Sequence, residues 1–454
     1  MVSITPLDHK IWRVAWPAIL SNISIPLLGL VDAGILGHLD DTRYLGAVAI
    51  GSALLSFLYW GFSFLRMGTT GRVARALGEG NEGRANLELC RAGVMALALA
   101  MLVWLLHPFW LRTGLTLMSP DASLSGLAAS YAQIRIASAP AVLLTYAIIG
   151  WFIGHGDTRW PMWVLIATNV VNIALDVLFV VGLGLASDGA ALATVLAEYL
   201  GLGLALVGVL RRTGPLHRHV NRQDLLNIRV YVTLLRSNGH LFVRTITLLA
   251  AFAFFTAMGE RLGPATLAAN ALLMQLLLLT AYALDGFAYA VESMAGNRAG
   301  AGDEAGFYQV VRRCGLWCAV AAGLLSIAFL TLQLPLFRLL TSLPEVLAVL
   351  DQHRFWLVLL PLVAGPTYLL DGVFIGTGET RDMMRTMLAS ALLVYLPVWY
   401  FAQPWGNNGL WLAFTLFNLA RGVTLYARYR SLSRRAAWFR PGWKFSHLPP
   451  ACGW

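Results

Sequence analysis

The segment "FIGHGDTR" at residues 152–159 returns as "FIGTGETR" at residues 374–381, so the chain contains a repeat with an offset of 222 residues. The segment "ALGEGN" at residues 76–81 returns at the same offset as "RAGAGD" at residues 298–303. A shared bias toward glycine and alanine explains single matches but not one gapless offset. The sequence therefore predicts two copies of one structural unit.

Composition indicates that the two copies fold in a lipid bilayer rather than in water. Of the 454 residues 58% are hydrophobic and 12% are charged, whereas a soluble protein has about 25% charged residues. Apolar runs of about 20 residues, long enough to span a bilayer, recur along the chain. We predict an all-α integral membrane protein with twelve helices, at roughly 10–36, 46–77, 89–111, 124–153, 161–184, 189–210, 232–259, 268–297, 314–340, 346–375, 383–402 and 409–428.

Repeat and helix count together predict the architecture. Six helices per copy is an even number, so both copies cross the bilayer in the same direction. The copies are then two six-helix lobes related by a pseudo-twofold axis along the membrane normal. We place the N-terminal lobe at residues 1–222, the C-terminal lobe at 223–430 and a basic cytoplasmic tail at 431–454.

The net charge of +10 could suggest a nucleic-acid partner, but the distribution of arginines argues for a membrane. The connection after helix six holds a basic cluster, whereas few arginines lie toward the opposite side. This bias predicts a multi-pass protein of the inner membrane with both termini in the cytoplasm. Four arginines fall within predicted spans and need partners or water there: Arg66, Arg135, Arg244 and Arg421.

The first lobe has acids where the second lobe is apolar. Asp32 lies in the apolar stretch "SNISIPLLGLVDAGILGHLD" at residues 21–40, and its counterpart in the repeat is Phe254. Helix five carries Asn169, Asn172 and Asp176 on one face, at spacings of three and four residues. The rise along each helix places these side chains and Thr194 of helix six at a similar depth in the outer half. The cluster either exchanges a proton or cation, or is a neutral hydrogen-bonded group that fixes helix packing.

Helix one also contains Pro26, six residues before Asp32. Proline removes a backbone hydrogen bond, so Pro26 is either a hinge of helix one or a fixed kink.

The second lobe carries its own polar groups. Asp285 and Glu292 lie seven residues apart with Tyr282 and Tyr289 on a similar face, and Asp371 lies in the tenth predicted helix. These acids either contact substrate or pair with arginines of the spans, because unpaired charges in the membrane are costly.

We find no Walker loop, HExxH motif or GxSxG motif in the sequence. We therefore expect no enzyme activity, no cofactor and no metal site. The parallel repeat with a cleft between its halves favours a secondary transporter over a membrane enzyme or channel.

Several segments resemble one family of transporters. They are "WPAILSNISIPLLGLVDAGILGHLD" at 16–40, "YLGAVAIGS" at 44–52, "FLRMGTTG" at 64–71, "NVVNIALDVLFVVGLG" at 169–184, "GAALATVLAEY" at 189–199 and "AYALDGFAYAVE" at 281–292. The chain resembles the MATE family, the multidrug and toxic compound extrusion transporters, and most closely its DinF (damage-inducible) branch. The resemblance implies a V-shaped central cavity between the lobes and antiport, in which cation entry drives export of organic compounds.

The resemblance also implies roles for residues. Asp32 occupies the position of the coupling acid on helix one, Asn172, Asp176 and Thr194 complete that site, and protonation bends helix one near Pro26. Some relatives place the cation in the C-terminal lobe on an acid of helix seven, but helix seven here has no carboxylate before Glu260.

We therefore expect a monomeric exporter of small amphipathic or cationic toxic compounds that is driven by H⁺ and works by alternating access. Two alternatives stay open: coupling to Na⁺, and a lipid-linked oligosaccharide flippase of the same superfamily.

Overall fold

Twelve long helices make up nearly all of the described chain. The computed structural model describes residues 4–37, 39, 41–118, 122–214, 222–225 and 227–439. The helices are α1 (Pro6–Gly37), α2 (Arg43–Gly78), α3 (Glu82–Met118), α4 (Ser123–Gly154), α5 (Arg159–Gly182), α6 (Ala186–Thr213), α7 (Ile228–Glu260), α8 (Pro264–Gly300), α9 (Glu304–Leu340), α10 (Pro344–Thr377), α11 (Thr380–Trp405) and α12 (Asn407–Arg434). All twelve are long and apolar enough to cross a membrane, which confirms the predicted all-α membrane fold.

The largest difference from the predicted bounds is at the start of α9. The apolar pattern predicts a start at residue 314, but the helix begins at Glu304. The extra turns are polar, so hydropathy does not detect them. Asp303 caps them by accepting a hydrogen bond from the Gly306 N–H at 2.9 Å. This hydrogen bond and the nearby Arg298 hold the pKa of the Asp303 carboxyl below its usual value.

Close contacts between helix backbones occur at equivalent positions of the two repeat copies. A Cβ at Gly78 would overlap the carbonyl oxygen of Asn297, and a Cβ at Gly300 would overlap that of Arg75. Gly78 and Gly300 are one repeat offset apart, and so are Arg75 and Asn297. Each contact thus has a symmetric counterpart, in which α2 of one lobe meets α8 of the other. Only glycine allows two helix backbones to approach this closely.

Polar contacts between the lobes lie on the side of the molecule that holds the termini. Arg75 Nη1 donates to the Thr377 carbonyl at 2.9 Å, and Ser293 Oγ donates to the Gly154 carbonyl at 3.4 Å. Near the N-terminus, Trp317 Nε1 of α9 donates to Asp8 Oδ1 of α1 at 2.9 Å. The lobes are therefore closed on the side of the termini.

The domain boundaries at 222 and 430 stay a prediction. Residues 215–221 and 440–454 lie outside the described residues, and α12 continues past residue 430 to Arg434.

Candidate functional site

Asp32 and Asp176 meet inside the N-terminal lobe. Asp32 lies in the last turns of α1, and Asp176 lies on α5 directly before a π-helical turn, Val177–Gly182. The two side chains contact each other through their carboxyl groups. Asp176 is 2% exposed, and Asp32 is partly buried. A π-helical turn widens a helix locally and is common at functional sites.

Asn172 and Thr194 join this carboxyl pair from two helices. Asn172 is 1% exposed and donates through Nδ2 to Thr194 Oγ1 of α6 at 3.2 Å. Thr194 Oγ1 in turn donates to the Ala190 carbonyl at 2.9 Å. This contact is consistent with the depth estimate from the sequence, because that estimate places the side chains of α1, α5 and α6 at a similar depth in the outer half.

Asn169 is in a different position from the rest of the predicted cluster. Its Nδ2 donates to Ser24 Oγ of α1 at 3.3 Å. It therefore ties α5 to the middle of α1, one turn of α5 before Asn172. We expect Asn169 to set the distance between α1 and α5 rather than to contact a bound ion.

The cluster of Asp32, Asn172, Asp176 and Thr194 in the N-terminal lobe has more buried hydrogen-bond acceptors than donors. Within the described part of the chain, Asp32 Oδ1, Asn172 Oδ1 and both carboxylate oxygens of Asp176 are buried without a hydrogen-bond donor. A buried acceptor without a donor is destabilising, and native structures rarely contain several together. A proton shared between the carboxyls, or a cation bound to their oxygens, would satisfy these groups.

Arg135 and Glu198 form an ion pair beside this cluster. Arg135 Nη1 of α4 donates to Glu198 Oε2 of α6 at 2.7 Å. The positive charge of Arg135 acts on both Asp32 and Asp176. Sequence reasoning identified Arg135 only as an arginine in need of a partner and missed Glu198. A signal was available, because Glu198 follows Thr194 by four residues on the same helix face.

Helix α1 is continuous through both of its prolines, Pro17 and Pro26. Ile25, the neighbour of Pro26, lines the central cavity between the lobes. A change in the shape of α1 at Pro26 would therefore affect both the Asp32–Asp176 carboxyl pair, which lies further along α1, and the cavity that Ile25 lines.

The central cavity has a volume of about 1700 Å³, including the part open to solvent. Helices of both lobes line it, and its charged lining consists of two arginines and three acids: Arg66, Arg244, Asp285, Glu292 and Asp371. Tyrosines are the other conspicuous lining groups: Tyr146, Tyr282, Tyr289 and Tyr368.

Two of the three cavity acids form ion pairs. Glu292 accepts from Arg66 Nη1 at 3.0 Å and from Nη2 at 3.4 Å, which joins the two lobes. Asp371 Oδ2 accepts from Arg244 and, at 2.9 Å, from Arg421. Of the two roles considered for these acids, pairing with arginines of the spans is therefore present in the structure.

Asp285 differs from these two acids. It lines the cavity, and within the described residues its carboxylate takes part in no hydrogen bond or ion pair. Tyr282 and Tyr289 line the same cavity on α8, and the guanidinium of Arg66 lies 4.6 Å from the ring centre of Tyr289. Asp285 is therefore the cavity acid that is available to a bound molecule.

Comparisons with known proteins identify the family of the chain. The sequence model of the MatE family matches residues 17–178 and again residues 241–401. The DNA damage-inducible protein F of Escherichia coli is 39% identical over 443 residues, which cover 97% of this chain and 95% of that protein. The chain belongs to the MatE family. MATE proteins are transporters rather than enzymes, and they move small organic compounds across membranes with ion gradients.

More distant MATE proteins show the extent of the likeness. The probable multidrug resistance protein NorM of Thermotoga maritima is 22% identical, with 90% of this chain and 88% of that protein covered. The solved structure of the Vibrio cholerae MATE transporter VcmN in the bent form superposes with a TM-score of 0.83 at 23% identity. The superposition covers 96% of this chain and 99% of the VcmN chain. The chain is thus a multi-pass membrane transporter with the MATE fold.

Proposed function

We propose that this MATE transporter is a proton-coupled antiporter that exports amphipathic or cationic organic compounds from the cytoplasm by alternating access. Asp32 and Asp176 form the coupling site, supported by Asn172 and Thr194. The observation that carries the proposal is the group of buried oxygens on Asp32, Asp176 and Asn172 that lack a donor within the described chain. One proton on either carboxyl lets it donate to the other, and that proton is the species exchanged for substrate.

The central cavity supports the proposed substrate class. Its acids outnumber its arginines, and Asp285 has no ionic partner within the described residues. A cationic group is attracted to this carboxylate, and the surrounding aromatic faces favour both cations and apolar bodies. The flippase alternative is less well supported, because acids outnumber arginines in the lining of the central cavity and would repel a pyrophosphate.

Orientation and oligomeric state are part of the proposal. With the termini in the cytoplasm of the inner membrane, the contacts that close the lobes lie on the cytoplasmic side. The structure is then an outward-facing state. We propose a monomer as the transporting unit and Pro26 as the hinge at which α1 changes shape on protonation.

Sodium is the second candidate for the coupling ion. The carboxylates of Asp32 and Asp176, with the side-chain oxygens of Asn172 and Thr194, are all hard oxygen ligands of the kind that alkali and alkaline-earth cations prefer. The same donor-free oxygens therefore also favour a bound Na⁺.

The test is efflux of ethidium from proteoliposomes under one ion gradient at a time. The proposal predicts efflux with a proton gradient alone, none with a sodium gradient alone, and loss of efflux in Asp32→Asn. Asp188→Asn is the matched control, because Asp188 is an acid of the same lobe that is bonded to Ser130 outside the cluster. Efflux driven only by sodium would favour the second candidate, and undiminished efflux in Asp32→Asn would overturn the coupling role.

A further inference from the structure

A second pocket opens from the central cavity into the C-terminal lobe. It lies among α7, α8, α10 and α12 and has a volume of about 580 Å³, including the part open to solvent. Six residues line both spaces, so the pocket is a side chamber of the cavity: Arg244, Leu248, Phe252, Leu278, Ala281 and Tyr368.

The charge of this side chamber is opposite to that of the central cavity. Its charged lining consists of Arg244 and Arg421, and no acid is among its described lining residues. The rest of the lining is mostly aliphatic and aromatic, with Asn418 and Thr280 as polar exceptions. The chamber thus combines an apolar volume with a cationic wall.

The two arginines are held in place but are not saturated. Both bind the same carboxylate oxygen, Asp371 Oδ2, so two positive charges share one negative charge. Arg421 Nη1 also donates to Asn418 Oδ1 at 3.2 Å. Arg244 is 7% exposed and Arg421 is 3% exposed, and the Nε atom of each is buried without an acceptor in the described part of the chain.

We infer that this side chamber binds the anionic end of an amphipathic substrate. A carboxylate, sulfonate or phosphate pairs with the guanidinium groups of Arg244 and Arg421 and balances the excess positive charge, and the apolar tail occupies the aliphatic part of the chamber. The inference rests on the proposed transport function and extends its substrate class. Molecules with a carboxylate at one end of an apolar body are accepted in addition to cations, because the two charges bind in different chambers.

The test uses 11-(dansylamino)undecanoic acid and its neutral amide, which differ only in the charge of the head group. Fluorescence titration of the purified full-length protein in a neutral detergent measures both affinities, and each is corrected for the partition of that ligand into protein-free micelles. We expect the acid to bind about tenfold more tightly than the amide, as charge-assisted hydrogen bonds require. Equal affinities in the wild-type protein would overturn the inference.

Variants locate the binding site. Arg421→Gln leaves Asp371 paired with Arg244, so the fold should persist while the acid-to-amide ratio falls toward one. Arg428→Gln is the matched control on the same helix, where it removes an ion pair with Asp382 outside the chamber, and it should keep the ratio. Ala364→Leu fills the chamber and should weaken both ligands. A ratio unchanged in Arg421→Gln, or unchanged affinities in Ala364→Leu, would contradict the assignment.

The outcomes distinguish failure of the proposed anion-binding chamber from failure of the proposed transport function. If proteoliposomes export ethidium but the acid and the amide bind equally, the subsite is overturned and the transport function stands. If no ion gradient drives ethidium export but the acid still binds about tenfold more tightly, the transport function fails and the subsite stands.

Discussion

Replacing Glu292 with glutamine should open the lobes on the side of the termini. Glu292 of α8 and Arg66 of α2 form a bidentate ion pair between the lobes, with N–O distances of 3.0 and 3.4 Å. The side chain of Glu292 is 2% exposed, and that of Arg66 is 13% exposed. The pair exists only while the lobes touch, so its loss destabilises that state relative to the state in which they separate.

The magnitude follows from the burial of the pair. Removing one partner of a buried ion pair costs about 3–5 kcal/mol. We take the lower figure, because Arg66 borders the cavity, which admits water, and because Asp285 lies near enough to act on its charge. A change of about 3 kcal/mol corresponds to about a 100-fold change in the ratio of the two states.

A cysteine at position 377 reports the change. Thr377 is 1% exposed, and its carbonyl accepts from Arg75 across the interface. In a background without native cysteines, maleimide should label Thr377→Cys up to about 100-fold faster when Glu292→Gln is present. Asp371→Asn is the matched control, because it removes a buried ion pair within one lobe and should lower thermal stability without exposing position 377. Equal labelling in both variants would refute the reasoning.

Three further predictions concern single contacts. Asp8→Asn weakens the contact with Trp317 between the lobes and should destabilise the protein by about 1.5–3 kcal/mol, measured by thermal unfolding. Asp303 has a lowered pKa in the folded state, so its charge-dependent stabilisation is present above its unfolded pKa and is lost as the pH falls through the lower folded value. The stability loss in Asp303→Ala should be constant from about pH 5 to 8 and should decrease as the pH falls below the unfolded value of 3.8. Gly296→Ala should destabilise by about 1–3 kcal/mol, because its Cβ would lie 2.5 Å from the Gly376 carbonyl oxygen and 2.9 Å from the Ala74 side chain of the other lobe. Gly323→Ala, which meets no atom within 4 Å, should be neutral or stabilising.

The helices could be predicted because a bilayer allows few alternatives. Every backbone group in hydrocarbon must be bonded within the span, so long apolar runs become helices, and all twelve were predicted. The repeat could also be found in the sequence. Gly78 and Gly300 match at its offset, and their close backbone contacts leave no room for a side chain in either copy. Hydropathy failed most where the first turns of a helix are polar, as at Glu304.

The polar sites were predictable in part. Helical spacing grouped Asn172 and Asp176, and depth along the helices added Asp32 and Thr194. Which acids form ion pairs could not be predicted, because Arg66 reaches Glu292 from the other lobe, across 226 positions of the sequence. The side chamber was missed for the same reason, since four helices distant in the sequence form its walls.

Measurement of proton movement tests directly whether Asp32 couples proton entry to export. Proteoliposomes that contain a pH-sensitive dye, without an imposed pH gradient, receive an outward-directed gradient of ethidium. Proton coupling at Asp32 predicts that ethidium efflux drives protons into the liposome, that Asp32→Asn abolishes this proton flux, and that Asp188→Asn retains it. Proton flux at the wild-type rate in Asp32→Asn would contradict this coupling role.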